Sequence, residues 1–290
     1  MKLARFDNGR VGVVDNDMIA DITDAAGIDP KAWPPVGMVQ LIARFAEHLD
    51  VLETLARDAP RHKFDAVHLD CPVVWPNKLI AFPANYQKHL EEMGEKRISA
   101  FTSKGQGFFL KSNSSLSGPN EPILLPPIPG REIHHECELA IIIGKGGRSI
   151  SRANALDHIL GYSCLVDVVV RGQEERVMRK SFDTFCPMGP YIVTKDEVAD
   201  VTNINLSLSI NGEVRQSANT RDLIVDIPAM VEMASAVMTL QPGDIIASGT
   251  PEGVGPIVDG DVLTIQIGGV GEMMLNVMGT SEGAHSVWDK

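Results

Sequence analysis

Five short stretches of this 290-residue sequence carry residues whose type and spacing suit chemistry. In HHECELAIII, Glu136 and Glu138 are two residues apart; in an extended strand alternate residues share a face, so both carboxylates point the same way beside a strongly apolar continuation. Asp167 is a lone carboxylate inside YSCLVDVVV. Buried like charges are costly unless a cation or proton neutralises them. Three carboxylates meeting would form a hard-oxygen site suited to Mg²⁺, Mn²⁺ or Ca²⁺. The same spacing equally fits glutamates on a solvent face and an Asp167 paired with Arg171 or a lysine.

In NYQKHLEEM, His89 and Glu92 stand at i and i+3, on one side of a helical turn. A carboxylate beside an imidazole fixes its tautomer and strengthens it as a base, as water activation requires. A solvated charged helix has the same pattern. In RKSFDTFCPMGP, Lys180 precedes a Pro/Gly-containing turn and offers a cation for a carboxylate or enolate, unless it is an ordinary surface lysine. In SGTPEGVG, Thr250 brings a hydroxyl, and the glycines free backbone N–H groups that cradle anions; the stretch also fits a plain β-turn. It lacks the GK[ST] ending of a phosphate-binding Walker loop.

The elements that must position these residues are mostly strands. Residues 3–6 and 11–14 flank Asn8-Gly9, a hairpin signal, and residues 206–210 meet Asn211-Gly212, a second one. Apolar runs at 79–82, 138–143, 162–170, 244–248 and 262–267 read as strands, with Gly-Asp turns at Gly243-Asp244 and Gly260-Asp261. Leu41, Ile42, Phe45, Leu49, Leu52 and Leu55 recur at helical steps, which predicts one helix over 38–59. Ser151 is expected to cap a helix over 152–160, and Asp226 another over 227–238 with Pro228 in its first turn. The polar, glycine-containing segment 94–107 reads as a lid, and the span from Tyr86 to about Gly107 as a unit that orders on ligand.

Composition narrows the classes. Hydrophobic residues make up 44% and charged residues 22%, an ordinary globular balance, and the length suggests about two domains. The formal charge of −12 repels phosphate backbones, so no nucleic-acid surface is expected; an anionic substrate needs a locally positive pocket, from a metal or from a few Lys and Arg. Cys71, Cys137, Cys164 and Cys186 form no CxxC pair and read as buried, reduced thiols. The N-terminal stretch has no signal-peptide character, and no apolar run reaches the roughly 18 residues of a membrane span. The expectation is a cytoplasmic protein without membrane contact.

Taken together and in order, the motifs resemble the fumarylacetoacetate hydrolase family: NYxxHxxE, FLK at 109–111, ExELAxxIGK, GYxxxxDVxxR, KSFDTFxPxGP, NGExRQxxxT and TLxPGDxIxxGTPxGVG. The resemblance covers the chain from about Lys78 onward. It implies an α+β, mainly β, fold: a mixed β-roll over 73–290 with a small N-terminal α+β domain over 1–72, assembled as a homodimer. It implies Glu136, Glu138 and Asp167 as ligands of Mg²⁺ or Mn²⁺, and His89, Glu92 and Lys180 as catalytic residues. Tyr86, Lys111, Arg171, Gln173 and Thr250 match substrate-binding positions. Departures stand at His134-His135, where many members have Asp-Tyr. They also stand in DVVVRGQEE, where the glutamine falls one place early at Gln173 and Glu174 takes its usual spot. The segment between the His89–Glu92 pair and FLK is longer than usual.

The implied reaction is hydrolysis of a C–C bond in a small 2-oxo or 1,3-dicarbonyl acid of acylpyruvate or fumarylpyruvate type. An isomerase of 2-hydroxymuconate-type acids and an oxaloacetate-type decarboxylase need the same enolate-stabilising metal. Decarboxylation needs no water nucleophile, so the His89–Glu92 pair weighs toward hydrolysis. A non-catalytic metal- and dicarboxylate-binding member is the third alternative; retention of His89, Glu92 and Lys180 argues against it.

Overall fold

The computed structural model describes residues 1–94, 103–283, 285 and 288. Its largest sheet runs in the order Arg61–Lys63, Met18–Asp21, Arg10–Asp15, Lys2–Phe6, Cys186–Thr194, Ile159–Val166, Cys137–Ile143, Ile245–Ala247, Leu79–Ala81, Phe109–Lys111. Most neighbours are antiparallel; Ile245–Ala247 runs parallel to Leu79–Ala81, so the sheet is mixed. A second sheet orders Glu213–Asn219, Asn205–Ile210, Val262–Ile267, Gly271–Gly279, Ile123–Leu125. A third, small sheet joins Val169–Val170, Ile133–His135 and Gly255–Pro256.

The two-residue period explains why the central strand is apolar without a break from Leu139 to Ile143. Cys137, Leu139, Ile141 and Ile143 enter the core shared with Leu206, Leu208, Ile265 and Leu275 of the second sheet. Ala140 and Ile142 enter the opposite core with Leu41, Ile42 and Leu52 of the N-terminal helices. A strand covered on both faces has no polar side to show. Both predicted hairpins form, with Asn8 and Gly9 at φ 64° and 99° and Asn211 and Gly212 at 52° and 83°. Asp226 caps the Ile227–Val237 helix, its side chain accepting from Ala229 N at 3.0 Å.

The first 72 residues are stitched into the main sheet. Lys2 and Leu3 pair with Val193 and Ile192, and the Lys2–Phe6 strand thereby extends the sheet that carries Cys137–Ile143. Two helix expectations are corrected. Residues 38–59 form two helices, Gly37–Phe45 and Leu49–Arg57, because His48 is non-helical at φ −142°, ψ 54°; both helices then lay apolar faces on the same core. Residues 152–158 form a 3₁₀ turn with no side-chain cap from Ser151, and a strand begins at Ile159. Ala155 is the one buried residue there, too little apolar face to hold an α-helix. Of the segment expected as a lid, residues 95–102 lie outside the described residues; Ser103–Gln106 is one helical turn whose Ser103 Oγ donates to Pro83 O. No described helix is long and apolar enough to cross a membrane.

Candidate metal centre

Three segments cross from the main sheet to the small sheet at one level, and each crossing carries site residues. Glu136 separates Ile133–His135 from Cys137–Ile143, and Asp167 separates Ile159–Val166 from Val169–Val170. The stretch 248–254 lies between Ile245–Ala247 and Gly255–Pro256. Asp167 N donates to Glu136 O at 2.8 Å, locking two of the crossings together. Glu136 and Asp167 were expected within strands; they sit at the breaks instead, where backbone leaves the ladder and carboxylates face a cavity rather than apolar neighbours.

Carboxylate oxygens of Glu136, Glu138 and Asp167 lie within 4.8 Å of one another, and all three residues are buried. Lys180, expected as a cation or a surface residue, is buried and donates to Glu136 Oε2 at 2.7 Å and Asp167 Oδ2 at 2.6 Å. Lys111 Nζ donates to the other Asp167 oxygen and to Phe185 O at 2.8 Å. Asp167 therefore belongs to the triad and pairs with lysine as well. Burial opposes its charge, but Lys111 and Lys180 outweigh that and hold its pKa below the usual value. For Lys180 burial also opposes the charge, and the Asp167, Glu136 and Glu138 carboxylates reverse the balance and push its pKa up. Glu138 fares differently: burial, then Asp167 and Glu136, push its pKa well up, against Lys180 and a 2.8 Å hydrogen bond from Gly249 N. Three carboxylates share two ammonium groups, so the cluster gains from one more cation, and its all-oxygen donors suit a hard divalent ion.

His89 and Glu92 lie on the short Gln87–Glu92 helix, with Nδ1 of the buried His89 3.1 Å from Glu92 Oε2. Gly253 N donates to both Glu92 oxygens, at 3.1 and 3.3 Å. The expected anion cradle in SGTPEGVG is thus filled by the protein's own carboxylates: Gly249 N holds Glu138 and Gly253 N holds Glu92. Both glycines have left-handed φ, 89° and 88°. A Cβ on Gly253 would sit 2.0 Å from Arg215 O, and on Gly249 2.6 Å from Asn85 Cβ.

His89, the triad, Lys180, Arg171, Gln173 and Thr250 all line one cavity of about 470 Å³. Tyr86 does not line it: its ring is buried in the main core, and its hydroxyl has no hydrogen-bond partner among the described residues. Lys111 stands behind Asp167 rather than in the lining. A larger open groove of about 740 Å³ beside Tyr191 and 266–272 has no carboxylate cluster and no base.

Three residues were not foreseen. Arg176 and Arg179, at i and i+3 in the Arg176–Arg179 helix, also line the cavity. Gln216 is buried with all its amide valences used: Oε1 accepts from Cys137 N at 2.9 Å and from His135 Nδ1 at 3.1 Å, and Nε2 donates to Thr250 Oγ1 at 2.8 Å and Pro251 O at 2.9 Å. Because Thr250 Oγ1 accepts from Gln216, its own O–H is left to donate elsewhere. Burial lowers the His135 pKa to about 4, so its ring is neutral and Nδ1 carries the proton. Nothing in the mostly polar NGEVRQSANT singles out Gln216; only the fold shows it as the one buried side chain of that strand before Asn219.

A buried carboxylate triad braced by lysines, with a His–Glu pair on the same cavity, could hold a divalent cation beside a base. The chain belongs to the fumarylacetoacetate hydrolase family: the family model described as fumarylacetoacetate (FAA) hydrolase C-terminal matches residues 78–278. It is similar to the maleylpyruvate hydrolase of Aquipseudomonas alcaligenes, 44% identical over 285 residues, covering 96% of this chain and 99% of that one. The crystal structure of maleylpyruvate hydrolase from Sphingobium sp. SYK-6 in complex with manganese (II) ion and pyruvate matches at TM-score 0.87 and 53% identity, over 96% of this chain and 99% of that one. The mitochondrial oxaloacetate tautomerase Fahd2a of Rattus norvegicus is 35% identical over 240 residues, 81% of this chain and 74% of that one. The mixed, mainly β architecture is the one these structural relatives share.

Proposed function

We propose that this chain is a Mn²⁺- or Mg²⁺-dependent hydrolase that cleaves a C–C bond in an acylpyruvate of the maleylpyruvate type, releasing pyruvate and a carboxylic acid. The observation that carries this reading is one cavity lined by both the carboxylate triad and His89, with His89 Nδ1 held by Glu92. Its close relatives named as maleylpyruvate hydrolases support it, and so does a pyruvate and manganese complex in one of them.

Glu136, Glu138 and Asp167 would hold the cation, which when bound supplies Lewis-acid polarisation of the substrate's 2-oxo acid end. Glu92, fixed by Gly253 N, orients His89 so that Nε2 is the nitrogen open to accept a proton. His89 takes that proton from water, and the hydroxide adds to the acyl carbonyl. The C–C bond between that carbonyl and the methylene then breaks; its electron pair stays on the methylene carbon, which takes up a proton to become the methyl of pyruvate. Lys180, held cationic between Glu136 and Asp167, offsets negative charge developing on that fragment. Thr250, whose hydroxyl proton Gln216 leaves unclaimed, donates to a substrate oxygen. Arg171 and Gln173 complete the substrate-binding side of the cavity.

The chain works as a homodimer in the cytoplasm, a reading supported by the family resemblance and by four cysteines that are all buried thiols. The test of function is direct. Protein loaded with Mn²⁺ should release pyruvate from maleylpyruvate, and excess EDTA should stop it; no pyruvate under any divalent metal, or full activity after EDTA treatment, refutes the proposal.

A further inference from the structure

The cavity holds more positive charge than the triad uses. Four cationic side chains, Arg171, Arg176, Arg179 and Lys180, line it against three carboxylates, in a chain of formal charge −12. Glu136 and Asp167 are already bound to Lys180, and Asp167 to Lys111 as well, while Glu138 accepts from Gly249 N. The arginines have no such partner: among the described residues none of the three makes an ion pair. Of the two acids in the same turn, Glu174 is taken by Arg131, with Nη2 2.6 Å from Oε2, and Glu175 is exposed.

What holds these guanidinium groups is neutral. Arg179 Nε donates to Glu174 O at 2.7 Å and Nη1 to Val170 O at 3.1 Å. Arg176 donates to Gln106 Oε1, and its guanidinium carbon lies 5.8 Å from the Phe109 ring centroid, with Lys180 Nζ 5.7 Å from the same ring. Both arginines are partly buried, and that burial disfavours their charge and lowers the pKa of each. Partly buried guanidinium groups fixed by carbonyls and lacking a carboxylate are costly unless a ligand brings one. A planar guanidinium is also the group best matched to a carboxylate's two oxygens.

We infer that Arg176 and Arg179, with Arg171, form a subsite for a second carboxylate at the far end of the substrate, so that the enzyme selects acylpyruvates whose acyl chain ends in a carboxylate over those ending in a methyl group. The inference rests on the proposed reading that the 2-oxo acid end sits at the triad. It deepens that reading by assigning the acyl-chain end to the 171–179 turn. Arg176 is the cleaner probe, because Arg179 also ties two backbone carbonyls of its own loop.

The test reads binding, so that it does not depend on turnover. Calorimetric titration of the Mn²⁺-loaded protein compares 2-oxoadipate with 2-oxohexanoate, six-carbon 2-oxo acids with and without the far carboxylate. The wild type should favour 2-oxoadipate by about 10- to 100-fold, the range of a hydrogen-bonded charge contact. Arg176→Met should lose most of that preference and Arg176→Lys should keep part of it, and Arg179→Lys should show a smaller loss. Equal affinity of the wild type for both acids overturns the subsite, and so does a preference that Arg176→Met leaves intact. If the preference holds and falls as expected while maleylpyruvate is not cleaved, the subsite stands and the hydrolase reading falls.

Discussion

At the scale of single residues, the proposed mechanism makes His89 the base and Glu92 the residue that orients it. Losing a general base costs about 10²–10⁴ in rate. His89→Ala should therefore nearly silence pyruvate release, while metal content measured on the same protein stays at the wild-type level, since neither residue is a ligand. Glu92→Gln should cost less, because Gly253 N can still bond the amide oxygen and the imidazole remains. A His89→Ala protein that turns over near the wild-type rate contradicts the assignment. Glu138 and Asp167 stood out in sequence because a charge inside or beside an apolar run has to be paired, whereas Lys180 was marked only by the KSFDTFxPxGP motif. Arg176, Arg179 and Gln216 were not legible in that way. They sit in polar stretches, GQEERVMRK and NGEVRQSANT, where one more polar side chain carries no contrast, and only the fold shows which of them turn inward. Tyr86 is the converse: its motif position suggested substrate contact, and its ring lies in the core.

At the scale of elements, hairpins and buried strands followed from local chemistry, since Asn-Gly pairs take positive φ readily and a doubly covered strand is continuously apolar. The break between Gly37–Phe45 and Leu49–Arg57 did not, because the apolar spacing of 41–55 also fits one straight helix and carries no mark of the non-helical His48. The N-terminal strands bring their own fastening. Asp21, at the end of Met18–Asp21, is buried and accepts from Arg10 Nε, from Thr23 N at 3.0 Å and from Thr23 Oγ1 at 2.6 Å. Burial works against the charge, but the Arg10 and Thr23 contacts outweigh it and lower the Asp21 pKa. A carboxyl with a depressed folded pKa adds stability above its unfolded value, near 3.9, and loses it as pH falls through the folded pKa. Asp21→Asn should thus cost about 1–3 kcal/mol at neutral pH by urea unfolding, with the gap to wild type closing below pH about 4. An equal gap at pH 7 and pH 3 would contradict this origin.

At the scale of the whole molecule, the pairing of Lys2 and Leu3 with Val193 and Ile192 joins positions about 190 residues apart, and no local pattern announces it. It makes the first 72 residues a continuation of the catalytic sheet, sharing with it the core of Leu41, Ile42, Ala140 and Ile142. Scanning calorimetry should accordingly show one transition with equal van't Hoff and calorimetric enthalpies; two resolved transitions would mean that the segments unfold apart. The same sheet brings the three crossings to one level, and so sets the triad, His89 and the arginines on one cavity.

In the proposed reaction water is the nucleophile and a C–C bond is hydrolysed. Running the reaction of the Mn²⁺-loaded protein with maleylpyruvate in oxygen-18 water, and weighing the released dicarboxylic acid by mass spectrometry, tests it most directly. The expected products are pyruvate and a dicarboxylic acid that carries one heavy oxygen per turnover in its new carboxylate. Carbon dioxide or an isomerised substrate in place of pyruvate, or a released acid without the label, would contradict it.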